Sequence, residues 1–552
     1  MEFQKYQPDF LPEKWSERDR YYLAPFATNL DGLVTVLRNL PPELAGALCS
    51  RASRAEGYLL RIFLNEYIYA VLEGEDTALA RELEEVVAFF HRHGLKSSLN
   101  NKRAQKFFAR WLAQYGDESI AQMLGTYLVF WGISQVAMKF CEDRRIGIAP
   151  IEKSTRFVDF GKKVDGKYLY YTDPEIIGAG LGEEYCQTMD FLFEKYQEAI
   201  ASLKLWLAER FPEEKQSVIE KKAFDTCRGF LPMATLGQVA FYGNGQAFEY
   251  LINNCAKQSL GELRWIAEAS ASELREEIES LLLRLDDART QDYQKYLGSR
   301  RRKVAEEIKG RDFAGFCPHN AQVELVEFDP DGEDKVLAAI LFPSCYNRWD
   351  KLSASVKRMS SDEKRAILRN YLEGRSERWQ KVGRAFENAY VRFEITLNAG
   401  AYRDLHRHRM LTQERQLFTP HLGYDIPLEL EETGLSGMVG ATMWKVFGLY
   451  EKIERRLSAE HAQYATTLFH LVRFYQYENL REVFWETELR TTAQGHPDYR
   501  RIEQEKFRLL REVYPLITEF VLVDMKEYDF ARRGLEEKIQ KKEEKILERL
   551  QK

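Results

Sequence analysis

The chain has 552 residues, too many for one ordinary core, and its 45% hydrophobic, 13% aromatic and 30% charged residues describe a soluble, ordered protein of two or more domains. Its net charge of −6 offers no whole-molecule attraction for nucleic acid, so an anionic ligand has to be held by local arginine clusters. No apolar run reaches the ~20 residues of a membrane helix, Met1–Asp19 lacks the apolar stretch of a secretory signal, and seven scattered cysteines without CxxC or HExxH signatures suit a reducing cytoplasm with no zinc site.

In chain order, apolar residues at helical spacing predict helices over 44–72, 81–90, 104–139 and 246–285. Gly178–Gly182 has neither the spacing nor the βαβ context of a dinucleotide-binding loop. The basic run Arg300-Arg301-Arg302-Lys303 opens a polar stretch over 299–315, read as a solvated linker and the best internal boundary. Segments of comparable size lie on either side, which invites a search for a repeat. A strand pair is expected over Val323–Phe328 and Val336–Phe342, joined by the turn Asp329-Pro330-Asp331-Gly332. Cys317-Pro318-His319 reads as a turn. The clearest strand alternates Val391, Phe393, Ile395 and Leu397 with polar residues, and the highly charged 526–552 reads as a solvated terminal helix.

Two constellations carry chemistry. Arg407-His408-Arg409 puts two guanidiniums and an imidazole in three positions, and arginine's planar fork matches phosphate oxygens bidentately. Glu152, Ser154 and Arg156 alternate, so an extended segment would present carboxylate, hydroxyl and guanidinium on one face as a phosphate clamp. Either could be solvated surface if it stood alone. His406, His421 and Asp404 match no familiar metal-ligand spacing, and no metal is expected.

Taken together these residues resemble the flavin-dependent thymidylate synthases, whose signature is RHR, five variable residues, then ExSxR and an aromatic. The chain carries it twice, broken differently each time. Arg144-Arg145-Ile146 stands at the RHR position ahead of Glu152, Ser154, Arg156 and Phe157, whereas Arg407-His408-Arg409 is intact ahead of Arg415, Leu417 and Thr419. The upstream T/SPFEH box resembles Arg384-Ala385-Phe386-Glu387, with Ser119-Ile120-Ala121-Gln122 the nearest first-half match, slightly too far from the signature. Downstream, the family's AR-x-x-LP resembles Cys227-Arg228-Gly229-Phe230-Leu231-Pro232, and its NxR and LR resemble Asn479-Leu480-Arg481 and Leu489-Arg490. The first half keeps Asn244, with Gln246 and Cys255 at the two arginine positions.

The resemblance implies a helix-rich α+β fold, two tandem copies of a sheet flanked by long helices, divided as 1–305 and 306–552. It implies FAD binding by Glu387, Arg407, His408, Arg409, Asn479 and Arg481, and dUMP binding by Glu152, Ser154, Arg156 and Arg228 with Arg490, which also serves catalysis. The implied reaction is reductive methylation of dUMP to dTMP with methylenetetrahydrofolate and NADPH as co-substrates, without a cysteine nucleophile. Family members assemble their sites between subunits of a tetramer, so complementary halves imply one composite site per chain and a homodimer that mimics the tetramer. The alternatives are a flavoprotein acting on another pyrimidine nucleotide and an inactive nucleotide-binding paralogue.

Overall fold

The described residues form two four-stranded antiparallel sheets whose central strands are rich in β-branched and aromatic residues. The computed structural model describes residues 2–11, 13–94, 101–115, 118–311, 315, 317–318, 322–528, 530 and 535–550. In the first sheet the order is β1-β2-β4-β3, with β1 Val34–Leu37, β2 Gly125–Ser134, β3 Ile148–Glu152 and β4 Leu236–Asn244. In the second it is β5-β6-β8-β7, with β5 Val323–Phe328, β6 Tyr390–Asn398, β7 Thr412–Arg415 and β8 Leu471–Asn479. The same order twice is a structural repeat, and the antiparallel pairing excludes a dinucleotide-binding βαβ sheet among the described residues.

Among the helices of the first repeat are α1 (Gln135–Glu142), between β2 and β3, and α2 (Gly245–Cys255), α3 (Gly261–Leu282) and α4 (Ala288–Ile308), after β4. The second repeat has α5 (Gly332–Leu341), α6 (Ala399–Leu405), α7 (Leu480–Arg490) and α8 (Pro497–Val513). Each central strand ends in a residue whose side chain caps the next helix: Ser134 for α1, Asn244 for α2, Asn398 for α6 and Asn479 for α7. A short polar side chain there accepts an N–H that the helix itself leaves unused. An acid near the start of α3 or α8 then holds the capping residue. Glu262 accepts from the Ser134 N–H (2.8 Å) and Oγ (2.6 Å), and Asp498 accepts from Asn398 Nδ2 (2.7 Å).

Register makes the repeat residue-specific. Gly125 pairs with Asn244 as Tyr390 pairs with Asn479, and Glu152 pairs with Val239 as Arg415 pairs with Phe474. Between Phe130 and Ile133 the β2 pairing shifts, whereas β6 pairs with β8 without interruption. The bulge gives the first repeat one more residue in its central strand.

The chain forms two compact units, neither a continuous stretch. One comprises Met1–Trp206, Ala223–Phe316 and Pro427–Thr467; the other comprises Leu207–Lys222, Cys317–Ile426 and Leu468–Lys552. Within the first unit the segment from the second half is bound by polar contacts: Tyr464 donates to Glu262 at 2.9 Å, and the Met233 N–H to the Thr466 carbonyl at 2.7 Å.

Five elements differ from the sequence reading. The expected helix 44–72 is interrupted at 53–58, between helices Pro42–Ala52 and Leu59–Phe63. Gly125–Ser134 is a strand inside the expected helix 104–139, because Leu-Val-Phe-Trp-Gly-Ile is apolar at any period and its β-branched, aromatic and glycine content favours a pleat. Val336–Phe342 belongs to α5 and the short 3₁₀ turn after it, not to a strand, since Glu333 and Asp334 fill an acidic first helical turn after Gly332. The basic run 300–303 is exposed as expected but lies on α4 and not in a linker. The expected helix 246–285 breaks between α2 and α3. His319 of the Cys317-Pro318-His319 turn lies outside the described residues, and the terminal helix spans Leu535–Leu550 with 541–549 exposed. Among the described residues no helix is long and apolar enough to cross a membrane.

Candidate cofactor and nucleotide sites

On α7, Arg481, Trp485 and Leu489 recur at i, i+4 and i+8, so they form one stripe, and Glu482, Glu486 and Arg490 form the stripe beside it. The first stripe is half-buried and lines an open cleft of about 360 Å³. Glu387 reaches the cleft from the turn before β6, and Arg407, His408 and Arg409 reach it from the turn after α6. Asn479, Glu482 and Arg490 complete that wall, and Lys381 and Met410 the rim. The six residues that the resemblance assigns to flavin, distant in sequence, therefore meet around a single cavity, joined there by Arg490 from the nucleotide set.

Polar contacts fix this lining. The Arg481 guanidinium pairs with Glu387 at 2.5 Å. His408, buried, lies 2.8 Å through Nδ1 from Glu482 and accepts from Arg490 Nε through Nε2 at 2.9 Å. A guanidinium N–H only donates, so Nε2 is the acceptor and Nδ1 carries the proton toward Glu482. Arg490 thus keeps only its terminal nitrogens for a ligand. Arg407 and Arg409 are exposed, Arg407 lying 3.8 Å from Asp404.

Behind this wall sits a buried charge cluster. Lys506 lies 2.7 Å from Glu478, 3.2 Å from Glu486 and 3.5 Å from Glu503, all fully buried. Burial raises Glu478 well above the usual carboxylate range and pushes Glu503 up to about 8, with Lys506 opposing and Glu486 reinforcing the rise. Glu486 also lies 3.9 Å from His408, which ties the cluster to the cleft.

The first-half residues adopt a different arrangement. Glu152 ends β3, but Thr155–Phe157 is a turn, with the N–H groups of Phe157 and Val158 donating to the Ser154 carbonyl. The extended face expected for Glu152, Ser154 and Arg156 is absent, because the turn carries Arg156 away from the strand line. Glu152 instead faces Lys139 at 3.2 Å, beside Glu142. Arg156 grips Asp225 bidentately at 2.8 and 2.7 Å, and Arg228 lies 3.8 Å from the same carboxylate. Ser154 Oγ accepts the Arg156 N–H at 3.2 Å. Arg156 and Arg228 are thus gathered about Asp225, Ser154 stands beside Arg156 in the turn, and Glu152 is turned toward a buried lysine.

The register also settles the upstream pairing. Gln122 and Glu387 each stand three residues before the central strand. The extra distance to the first signature is the bulged residue of β2 plus one residue between Ser134 and Glu152. Where Glu387 pairs with Arg481, Gln122 donates to Gln246 at 2.9 Å, an amide pair in place of an ion pair. Arg144 donates to Asn254 at 2.7 Å and faces the Tyr250 ring, and α4 is joined to α2 by Gln294 donating to Asn253 at 2.9 Å.

Lys381, Glu482 and Trp485 were not singled out from the sequence. The i+4 spacing after Arg481 held the signal for Trp485; Lys381 reaches the cleft only through the loop that carries it.

The family model for thymidylate synthase complementing proteins matches residues 78–278 and again 324–516, more than half of the chain and once in each repeat. A UPF0159 protein of Chlamydia muridarum is 34% identical over 537 residues, covering 94% of this chain and 97% of that one. A Chlamydia pneumoniae UPF0159 protein is 32% identical over 541 residues, with 95% and 98% covered. One from Thermoplasma acidophilum is 29% identical over 484 residues, with 82% and 95% covered. With two family matches falling on two sheets of one strand order, the chain belongs to the thymidylate synthase complementing protein family, as a two-repeat member.

Proposed function

We propose that this protein is a flavin-dependent thymidylate synthase that converts dUMP to dTMP with methylenetetrahydrofolate and NADPH, its second repeat holding FAD and its first holding dUMP. The observation that supports this reading is the convergence of Glu387, Arg407, His408, Arg409, Asn479, Arg481 and Arg490 on one cleft. That donor set suits a dinucleotide diphosphate: two exposed guanidiniums at the mouth, and helix α7 presenting its N-terminus through the Asn479 cap. Reduced FAD, when bound, supplies the hydride. The chain's own residues bind and orient, with His408 holding the Arg490 guanidinium so that its terminal nitrogens meet anionic substrate. Ser154, Arg156 and Arg228 supply the nucleotide-phosphate contacts, with Asp225 holding both arginines in place.

The absorption spectrum of the purified protein tests this. A flavin band that bleaches with NADPH and recovers with dUMP plus methylenetetrahydrofolate is the expected result. A second reading, a flavoprotein for another pyrimidine nucleotide, is favoured by the closure of the Arg156 fork on Asp225. It predicts bleaching without that recovery, and absence of flavin would overturn both.

A further inference from the structure

We propose that Lys381 is a diphosphate-binding residue of the cleft, carried on a preorganised loop and resting on Trp485 until an anion arrives. The inference rests on the flavin reading only for the identity of the dinucleotide; the anion chemistry stands apart from it.

The loop is built without Lys381. Gly374 turns it with a φ of +79°, and Gln380 closes it, accepting from the N–H groups of Ser376 (2.7 Å) and Glu377 (2.8 Å) and donating to the Gly374 carbonyl (3.2 Å). Arg375 anchors it from below, gripping buried Glu488 and donating to the carbonyls of Gln380 (2.8 Å) and Phe520 (3.0 Å). Lys381, an exposed residue, follows this knot and lines the cleft.

Its ammonium stands directly over the Trp485 ring and reaches the Arg378 carbonyl at 3.5 Å. Lys381 thus joins Arg407, Arg409, Arg481 and Arg490 around a cleft whose lining carboxylates are Glu387 and Glu482. Those acids are engaged, Glu387 by Arg481 and Glu482 by His408. Desolvation and the nearby Arg378 lower the amine from its usual range. A ring face is a weaker partner for an ammonium than a phosphate oxygen is. An anion with two phosphates would draw Lys381 off the ring and meet the exposed Arg407 and Arg409 as well.

The full-length protein, freed of carried-over nucleotide by gel filtration at high salt, is titrated with inorganic pyrophosphate by calorimetry and by tryptophan emission. Pyrophosphate should change the emission of the wild type, and Trp485→Phe should lose most of that change while keeping the affinity. Lys381→Met should weaken pyrophosphate and FAD roughly tenfold or more. It should leave riboflavin, which has no phosphate, unchanged, and Lys381→Arg should restore FAD. Equal affinities of wild type and Lys381→Met for pyrophosphate and FAD would overturn the proposal, as would parallel losses of FAD and riboflavin, which mark a structural role. If Lys381 governs pyrophosphate but the wild type takes up no FAD, the Lys381 assignment stands and the flavin reading falls.

Discussion

Arg156 shows what one guanidinium is asked to do. Both arms of its fork close on Asp225, and each side chain is only about a tenth exposed (10% and 11%). Removing Arg156 leaves buried Asp225 facing Arg228 at 3.8 Å, so Arg156→Ala should cost less in urea denaturation than the ~3–5 kcal/mol of a fully stranded charge. Where that variant is folded, dUMP affinity should also fall roughly 10- to 150-fold with flavin retained. Unchanged dUMP affinity would remove the first repeat from nucleotide binding. Arg407 and Arg409 are exposed, where ion pairs contribute little to stability. Arg407→Ala with Arg409→Ala should release flavin while the circular dichroism stays native, and full flavin content in that double variant would refute their role. Both arginine sets were picked out through the family resemblance, since by residue type and spacing alone either could be solvated surface. That Arg156 is already committed to Asp225 was not legible, because Asp225 lies 69 positions away in sequence.

Among the elements, the junction of β2, α1 and α3 depends on one buried acid. Glu262 takes both the N–H and the hydroxyl of the capping Ser134 and the hydroxyl of Tyr464, yet burial pushes it up to about 7. Its folded value lies above its unfolded one, so its contribution is fully present below about pH 4.5 and is lost as pH rises through about 7. Glu262→Gln should flatten that part of the stability–pH profile, read as the urea midpoint between pH 5 and 8; a slope identical to wild type would show that the acid titrates without consequence. The capping residues explain which boundaries the sequence revealed. β6 alternates cleanly and was legible, whereas β2 is buried on both faces from Leu128 onward and carries no period to read. Val336–Phe342 failed for a related reason: a short apolar run fits strand and helix equally until its acidic first turn is weighed.

For the whole molecule, two copies of one strand order per chain halve the number of chains that a four-copy assembly requires. We expect a homodimer of about 130 kDa, twice the 64.7 kDa chain. Among the described residues the flavin-type set lines a cleft in the second repeat, so each chain should carry one flavin. Light scattering combined with flavin released by denaturation decides it, and a monomer or two flavins per chain would contradict the division of labour. The repeat itself was legible because two motifs recur in order. The exchange of 207–222 and 427–467 between compact units was not, since such long-range packing leaves no local mark in the chain.

The amide pair Gln122–Gln246, at the place where the second repeat has Glu387–Arg481, bears on how such a chain came to differ from itself. Exchanging an ion pair for two glutamines takes two substitutions, and whichever came first left a single charge facing an amide. At a water-exposed position that intermediate costs little, since exposed ion pairs contribute only ~0–1 kcal/mol. On that estimate the exchange between the two pairs passes through no unfolded intermediate in either order. The path back is equally shallow: Gln122→Glu with Gln246→Arg would restore the pair without restoring the site, because Cys255 still stands where the twin has Arg490.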